Sequence, residues 1–206
     1  RHPDVRVEIS ADSGLPALIA GKTDVSLGSY YRPDPRLFAL PAGICYSFIM
    51  ATKKYERKYG LPETIEDLKR HTILLRYTQN LGYSNKLENG TETYYIDRGH
   101  RVQHGDAAAC REMLLAGEGL AIDLTPGFVS DYLASGFVFP VLKGWHREPC
   151  HYHVYCRAGS QDDKVLRELM AYVERGVFAT FANQWQFWYG KLWIPMPEGF
   201  VPQAKS

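Results

Sequence analysis

Apolar and polar residues follow one another along this chain with two different periods. Some short segments are apolar at every second position or throughout, which is typical of strands, and others place apolar residues three or four positions apart, as helices do. The pattern predicts strands over residues 5–9, 25–27, 37–40, 46–51, 73–76, 101–103, 120–122, 137–139 and 152–156. It predicts helices around residue 18, over residues 53–58, from residue 64, over residues 107–116, from residue 126 to 136, and over residues 164–177.

Strands that alternate with helices in this way predict βαβ units and a mainly parallel sheet. Glycines end several of the predicted helices shortly before a strand, on both sides of a polar stretch that covers residues 77–99. We interpret this repetition as two similar α/β lobes. A cleft at the strand ends of such lobes is the expected place for a ligand.

The segment around Gly21 has the residue order that ends a phosphate-binding loop, Gly21-Lys22-Thr23. That loop requires a glycine five positions before its Gly-Lys pair, and Pro16 stands there without an N–H to offer. The order of elements is also wrong, because an apolar helix comes before the glycine and a strand follows it. Gly21 is therefore predicted to end a helix in the left-handed conformation, and a nucleotide site is excluded.

The composition is that of an ordinary soluble globular protein, with 206 residues of which 45% are hydrophobic and 23% charged. A formal net charge of +1 gives no overall attraction to nucleic acid, and no apolar run approaches the roughly 20 residues that span a bilayer. The 4 cysteines are mostly far apart, so no disulfide framework is expected and a cytoplasmic location is predicted.

Five segments resemble, in the right order, those of the effector-binding domain of LysR-type transcriptional regulators. They are residues 2–8 (HPDVRVE), 21–28 (GKTDVSLG), 114–122 (LLAGEGLAI), 136–142 (GFVFPVL) and 152–155 (YHVY). Together they extend the match from residue 1 to about residue 178. The resemblance implies an α/β fold of two Rossmann-like lobes joined by two crossing strands, which is the type 2 periplasmic-binding-protein-like architecture.

The resemblance also implies how the chain divides. Lobe I is expected over residues 1–44 and 151–180, lobe II over residues 45–150, and a C-terminal tail over residues 181–206. In the family pattern, a DNA-binding helix-turn-helix and the first strand and helix of lobe I would come before Arg1. The tail carries Trp185, Trp188 and Trp193, and we interpret it as internal packing, an oligomer contact or a cover for an exposed sheet edge.

For function, the resemblance implies a domain that senses a small-molecule effector between its lobes and thereby controls transcription, without enzymatic activity. The effector is expected to be a small carboxylate or an aromatic acid, and the domain is expected to form a homodimer or homotetramer. DNA would be bound only through the helix-turn-helix, and no membrane partner is expected. A stand-alone solute-binding protein of the same two-lobed fold is the alternative.

Polar residues near the ends of predicted strands and helices are the candidate effector ligands, because hydroxyls and helix N-termini offer donors to a polar or anionic molecule. From lobe I the candidates are Ser10, Asp12 and Ser29. From lobe II they are Thr78, Asn80, Gly82, Asp106 and Thr125. Asp106 is also predicted to cap the helix that follows it. For each of these residues an ordinary loop or capping role is the alternative.

The sequence holds neither a catalytic constellation nor a complete metal site. On a strand, His151 and His153 point to one face of the sheet. Cys150 and Cys156 point to the other face, so the four side chains cannot converge on one ion without a bulge. Ser84 lacks the second glycine of a nucleophile elbow. No metal, cofactor or catalytic residue is therefore predicted.

Overall fold

The described part of the chain forms two compact units. The structure is a computed structural model, and it describes residues 2–10, 14–29, 34–76 and 85–196 of the 206. Unit 1 contains Arg1–Ile44 and Cys150–Asn183, and unit 2 contains Cys45–Pro149 and the segment that begins at Gln184. The polypeptide therefore passes from unit 1 to unit 2 and back, and then contributes to unit 2 again near its C-terminus.

Helices and strands mostly follow the hydrophobic pattern. The strands are β1 (Ser26–Gly28), β2 (Leu37–Cys45), β3 (Met50–Thr52), β4 (Thr72–Arg76), β5 (Lys86–Asn89), β6 (Glu92–Tyr95), β7 (Arg101–Gly105), β8 (Leu120–Ala121), β9 (Val138–Pro140) and β10 (Cys150–Arg157). The α-helices are α1 (Leu15–Ile19), α2 (Lys53–Tyr59), α3 (Ala107–Ala116), α4 (Ser130–Ala134) and α5 (Lys164–Gln184). Short 3₁₀ helices cover Ile65–Arg70, Pro126–Phe128, Ser160–Asp162 and Gly190–Leu192, and a π-helical turn covers Trp185–Tyr189.

Unit 1 is built on a sheet whose described strands have the order β1-β10-β2. β1 runs antiparallel to β10, with Leu27 opposite Val154. Apolar residues recur three or four positions apart on α5, at Leu166, Met170 and Val173, and this spacing places them on one face of the helix. That face packs with Val154 of β10 to form the core of unit 1.

The segment that follows α1 confirms the helix-ending role predicted for Gly21, which has a φ of 71°. Arg157 of β10 holds this segment, because its Nη1 donates hydrogen bonds to the backbone oxygens of Leu18 and Thr23 at 3.3 and 3.0 Å. The Gly-Lys-Thr sequence is thus a helix-to-strand junction of unit 1.

Unit 2 contains a five-stranded sheet with the order β7-β4-β8-β3-β9. β4 runs parallel to its neighbours β7 and β8, whereas β3 runs antiparallel to β8 and β9. The β5-β6 hairpin is antiparallel as well, so the described sheets are mixed and the prediction of a mainly parallel sheet is wrong. The alternation of strands and helices determines connections along the chain, but none of the described neighbours in the five-stranded sheet are consecutive in sequence.

α3 connects β7 to β8 and sets where these strands lie. Asp106 caps the helix, as predicted, because its Oδ1 accepts a hydrogen bond from the N–H of Ala109 at 2.8 Å. The helix ends at Gly117, which is left-handed with a φ of 72°. Gly119 then lies so close to β4 that a Cβ there would be 2.8 Å from the backbone oxygen of Thr72. This close approach allows β8 to pair with β4.

One apolar cluster of buried residues forms part of the core of unit 2. Its buried members are Ile49, Ala51, Tyr55, Ile65, Leu68, Ile73, Leu75, Leu87, Ile96, Leu120, Ile122, Val141 and Trp145. Ile73 and Leu75 alternate with Leu74 along β4, so that they share one face of the strand. The packing of this face fixes the position of β4 and of the residue that ends it.

Several predicted elements differ from those of the structure; the strand predicted over residues 46–51, for example, is limited to Met50–Thr52, and the helix predicted from residue 126 to 136 is a 3₁₀ turn followed by α4. Residues 5–9 do not form a strand, and Ile9 is 93% exposed. Alternation specifies only which side chains share a face, whereas a strand also needs a neighbour with which it can pair. At the other end, α5 continues past residue 177 to Gln184.

The C-terminal segment packs within unit 2. Its buried side chains are Trp185, Tyr189, Leu192 and Ile194. The rings of Tyr189 and Tyr46 lie 5.8 Å apart, which joins the segment to the residues that precede β3. Trp193, in contrast, is 73% exposed. Internal packing, one of the three interpretations given above, thus applies to this segment.

Candidate functional site

Three parallel strands of unit 2 end at one edge of the sheet. Because β7 and β8 each run parallel to β4, their carboxyl ends lie on the same side. Polar or charged residues stand at or just after all three ends, and we call them the carboxyl edge: Arg76, Asp106, Asp123 and Thr125. The carboxyl ends of parallel strands are where α/β sheets usually bind ligands.

The strand register brings Arg76 and Asp123 together. Leu74 pairs with Ala121, so the residues two positions further along the two parallel strands are neighbours. Arg76 Nε is 4.0 Å from Asp123 Oδ2, and the two side chains are only 13% and 16% exposed. This ion pair is therefore largely removed from water.

Asp123 also interacts with a second guanidinium, that of Arg147, whose exposed fraction is only 6%. Burial raises the pKa of the Asp123 carboxyl, because surroundings poor in water disfavour the charged form, and the positive charges of Arg147 and Arg76 oppose that rise. One buried carboxylate thus faces two guanidinium groups.

Cys110 of α3 lies beside the same charges. Its thiol donates a hydrogen bond to the backbone oxygen of Gly105, with Sγ 3.6 Å from that oxygen. Burial raises the pKa of the Cys110 thiol, and the negative charge of Asp123 raises it further. The thiol is therefore protonated at neutral pH, whereas a nucleophilic cysteine needs the thiolate.

Arg76 carries a hydrogen-bond donor that the protein does not use. Its Nε is buried, and within the described ranges no atom accepts a hydrogen bond from it. The 4.0 Å to Asp123 Oδ2 is well beyond the ~2.8 Å of a charge-assisted hydrogen bond. A planar guanidinium in this state is suited to bind a carboxylate from outside the protein.

The sequence contains a feature that could have predicted this ion pair, namely a charged residue within or at the end of an apolar run. Arg76 ends an otherwise apolar strand, and Asp123 stands between Ile122 and Leu124, both of which are buried. A charge within a buried run must be paired or functional, because an isolated buried charge is costly. The candidate residues chosen from the sequence instead came from polar loops, and they omitted Arg76, Asp123 and Arg147.

A family comparison identifies the class of domain to which this site belongs. A model of the LysR substrate binding domain matches residues 1–177. This chain belongs to the LysR substrate binding domain family. The match confirms the resemblance found in the ordered sequence segments, and the family is one of transcriptional-regulator domains rather than of enzymes.

A longer protein contains a segment similar to this LysR domain. An HTH-type transcriptional regulator of Xanthomonas campestris pv. campestris (strain 8004) is 28% identical over 152 residues. The alignment covers 70% of this chain but only 43% of the relative, so the LysR domain described here corresponds to less than half of that regulator.

Solved structures share the fold of this LysR domain. The regulatory domain of AphB in Vibrio vulnificus is 22% identical, with a TM-score of 0.65 over 84% of both chains. The CrgA regulatory domain, from a LysR-type transcriptional regulator of Neisseria meningitidis, is 21% identical, with a TM-score of 0.66 over 81% of both chains. At these identities the likeness concerns the fold, and it confirms the type 2 periplasmic-binding-protein-like architecture.

The sequence-predicted ligands of this LysR domain fall into three groups. Those at the carboxyl edge of unit 2 are Asp106 and Thr125. Those in unit 1 are Ser10 and Ser29. Those outside the described residues are Asp12, Thr78, Asn80 and Gly82. Among the candidates that the structure describes in unit 2, Asp106 and Thr125 thus stand at the same sheet edge as the buried ion pair.

The described candidates differ in their surroundings. Asp106 is exposed and uses one carboxylate oxygen to cap α3, whereas Thr125 is 6% exposed and directly precedes the 3₁₀ helix that begins at Pro126. In unit 1, Ser29 is half-buried at the end of β1 and Ser10 is exposed. Asp106 thus has a structural role that the sequence already offered as the alternative to ligand binding.

A groove in unit 1 is a weaker candidate site. It has a volume of about 430 Å³, and all its lining residues belong to α5: Tyr172, Val173, Arg175, Gly176, Val177 and Thr180. Because one helix supplies the whole lining, the groove cannot enclose a small molecule as ligand pockets do. It also contains none of the predicted ligands.

The described residues contain neither a metal-binding cluster nor a membrane-spanning helix. Among residues 2–10, 14–29, 34–76 and 85–196, no group of three His, Cys, Asp or Glu side chains could hold a metal ion. His153 Nδ1 instead bonds the backbone oxygen of His151 at 3.2 Å. No helix within these ranges is both long and apolar enough to cross a membrane.

Proposed function

We propose that this domain senses a small-molecule effector and thereby controls transcription, as the regulatory part of a LysR-type regulator. The observation that carries the proposal is the family match over residues 1–177, together with the helix-turn-helix type of the relative. DNA would be contacted by a helix-turn-helix that is not part of this chain. The domain would act in the cytoplasm as a homodimer or homotetramer.

The physical requirement for such a sensor is differential binding. An effector shifts a regulator between two conformations only as far as it binds one of them more tightly, and coupling between sites is typically about 1–3 kcal/mol. The effector class we propose is a small carboxylate or an aromatic acid. The buried guanidinium at the carboxyl edge supports this class, since it offers a donor group to an anion.

A thermal-shift screen of small carboxylates and aromatic acids tests this function. We expect at least one compound to raise the melting temperature, by about 5–10 °C at a hundredfold excess over its Kd. Ser10→Ala and Thr78→Ala should reduce that shift, and the exposed Thr93→Ala serves as the matched control. A screen in which no compound stabilises the domain would contradict the proposal, and an unchanged shift in both variants would remove them from the site.

A transcription measurement distinguishes the regulator from the alternative function, a stand-alone solute-binding protein. In a reporter strain, the complete regulator should change promoter activity when the stabilising compound is added. A bound compound that changes uptake but leaves transcription constant would favour the alternative. The helix-turn-helix type of the Xanthomonas relative favours the regulator.

A further inference from the structure

The pair formed by Arg76 and Asp123 differs from an ordinary structural ion pair. A structural pair of this kind is expected to be closed by short hydrogen bonds, because those bonds offset the cost of removing both charges from water. Here Arg76 Nε and Asp123 Oδ2 remain 4.0 Å apart, although only 13% of the arginine side chain is exposed. The buried Nε makes no hydrogen bond within the described ranges.

The charges around Asp123 also leave Arg76 incompletely neutralised. The carboxylate is shared, because it lies in the field of Arg147 as well as of Arg76. Asp106 follows β7 at the same edge, but one oxygen of its carboxylate accepts the N–H of Ala109 at the start of α3. An added anion would give the guanidinium of Arg76 a second negative partner beside Asp123.

We propose that Arg76 binds the carboxylate group of the effector at the carboxyl edge of unit 2, where the carboxylate of Asp123, 4.0 Å away, competes with the effector for the guanidinium. This inference rests on the proposed sensing function and names the recognition group of that same site. A guanidinium fork matches the two oxygens of a carboxylate, which a lysine ammonium cannot do. The effector is therefore an anion with at least one carboxylate.

The test compares carboxylates with their neutral amides. The melting temperature of the 206-residue chain is measured with sodium benzoate and sodium acetate against equimolar sodium chloride, and with benzamide and acetamide. If the Kd is about 10 mM, each carboxylate at about 50 mM should raise the melting temperature by about 2–4 °C more than chloride does. The amides should have no effect beyond that of buffer.

Three variants assign this shift to the named residues. Arg76→Gln should abolish the carboxylate shift, and Arg76→Lys should retain part of it because the charge remains without the fork. Asp123→Asn should enlarge the shift, because it removes the negative charge that competes with the added anion. A residue with a purely structural role would not produce opposite changes at these two positions.

Arg101→Gln is the matched control. Arg101 is exposed at the amino end of β7, at the opposite edge of the same sheet, where its guanidinium donates to the backbone oxygen of Arg70. This variant should keep the carboxylate shift of the wild-type domain. Circular dichroism of every variant in chloride buffer establishes that it is folded before its shift is compared.

Two results would overturn the inference without touching the proposed function. One is a wild-type domain that carboxylates stabilise no more than chloride or the amides do. The other is an Arg76→Gln variant that is folded and shows the full carboxylate shift. The proposed function fails separately, if no compound in the whole screen of small carboxylates and aromatic acids stabilises the domain.

Discussion

Replacing Tyr189 by phenylalanine tests whether the segment beyond the LysR match is part of the fold of unit 2. The family match ends at residue 177, yet Tyr189 is completely buried. Its hydroxyl accepts the N–H of Tyr46 at 3.0 Å, and it lies 2.9 Å from two possible acceptors, the backbone oxygen of Tyr46 and Gln184 Oε1. Phenylalanine keeps the ring and removes the hydroxyl that makes these bonds.

The magnitude follows from the number of bonds lost. One hydroxyl proton serves one acceptor at a time, so the substitution removes one accepted and one donated hydrogen bond. Each of the two buried partner groups left without its bond costs about 1–3 kcal/mol, so the free energy of unfolding of unit 2 should fall by about 2–6 kcal/mol. No cavity contributes to this value, because the volume of the ring is unchanged.

Urea unfolding followed by circular dichroism measures the loss, with Tyr172→Phe as the control. Tyr172 is 72% exposed on α5, and the same chemical change there should alter the free energy of unfolding by less than about 0.5 kcal/mol. If Tyr189→Phe behaves like this control, the hydroxyl does not anchor the C-terminal segment, and our assignment of that segment to unit 2 loses its energetic basis.

Two further predictions concern backbone packing and a buried histidine. Gly119→Ala should lower the free energy of unfolding by about 1–3 kcal/mol, because the new Cβ would meet the backbone of β4. Gly176→Ala should raise the free energy of unfolding by about 0.5–1 kcal/mol, because this helical position is open and alanine is the better helix former. Equal effects of the two substitutions in urea unfolding would contradict this prediction. Burial lowers the pKa of His71 below 6.5, and its ring bonds the Tyr55 hydroxyl at 2.9 Å. Because the unfolded chain then binds more protons than the folded one, this contribution to stability should be present above pH ~6.5 and be lost as the pH falls through the lowered pKa of His71. In the His71→Gln variant, the decrease of the urea midpoint at low pH that His71 causes should disappear. A variant whose midpoint depends on pH as that of the wild type does would refute the attribution of this decrease to His71.

Local features of this fold could be predicted because their causes are local. Gly21 and Gly117 end helices in the left-handed conformation, which only glycine adopts without strain, and both were identified from the residue pattern alone. The cap at Asp106 was predictable for the same reason, since the side chain bonds an N–H only three residues away. Residues 5–9 show the limit of this reasoning, because alternation supplies no partner strand.

The candidate site was predictable only in part. Polar residues after predicted strands led to Asp106 and Thr125, which do stand at the carboxyl edge. They did not lead to Arg76 and Asp123, because the proximity of those two depends on which strands are neighbours. β4 and β8 are separated by the hairpin, β7 and α3 along the chain, and no local pattern shows that they pair.

The sequence by itself determined the helix ends, the approximate extent of most strands and membership of the LysR family, because each follows from residues close together or from segments in a recognisable order. The tertiary structure decided that the sheet of unit 2 is mixed and that the C-terminal segment packs inside that unit. It also decided that an arginine ending one strand meets an aspartate following another. These are contacts between residues far apart in sequence, and they depend on strand pairing and on the burial of charge, which exist only once the chain is folded.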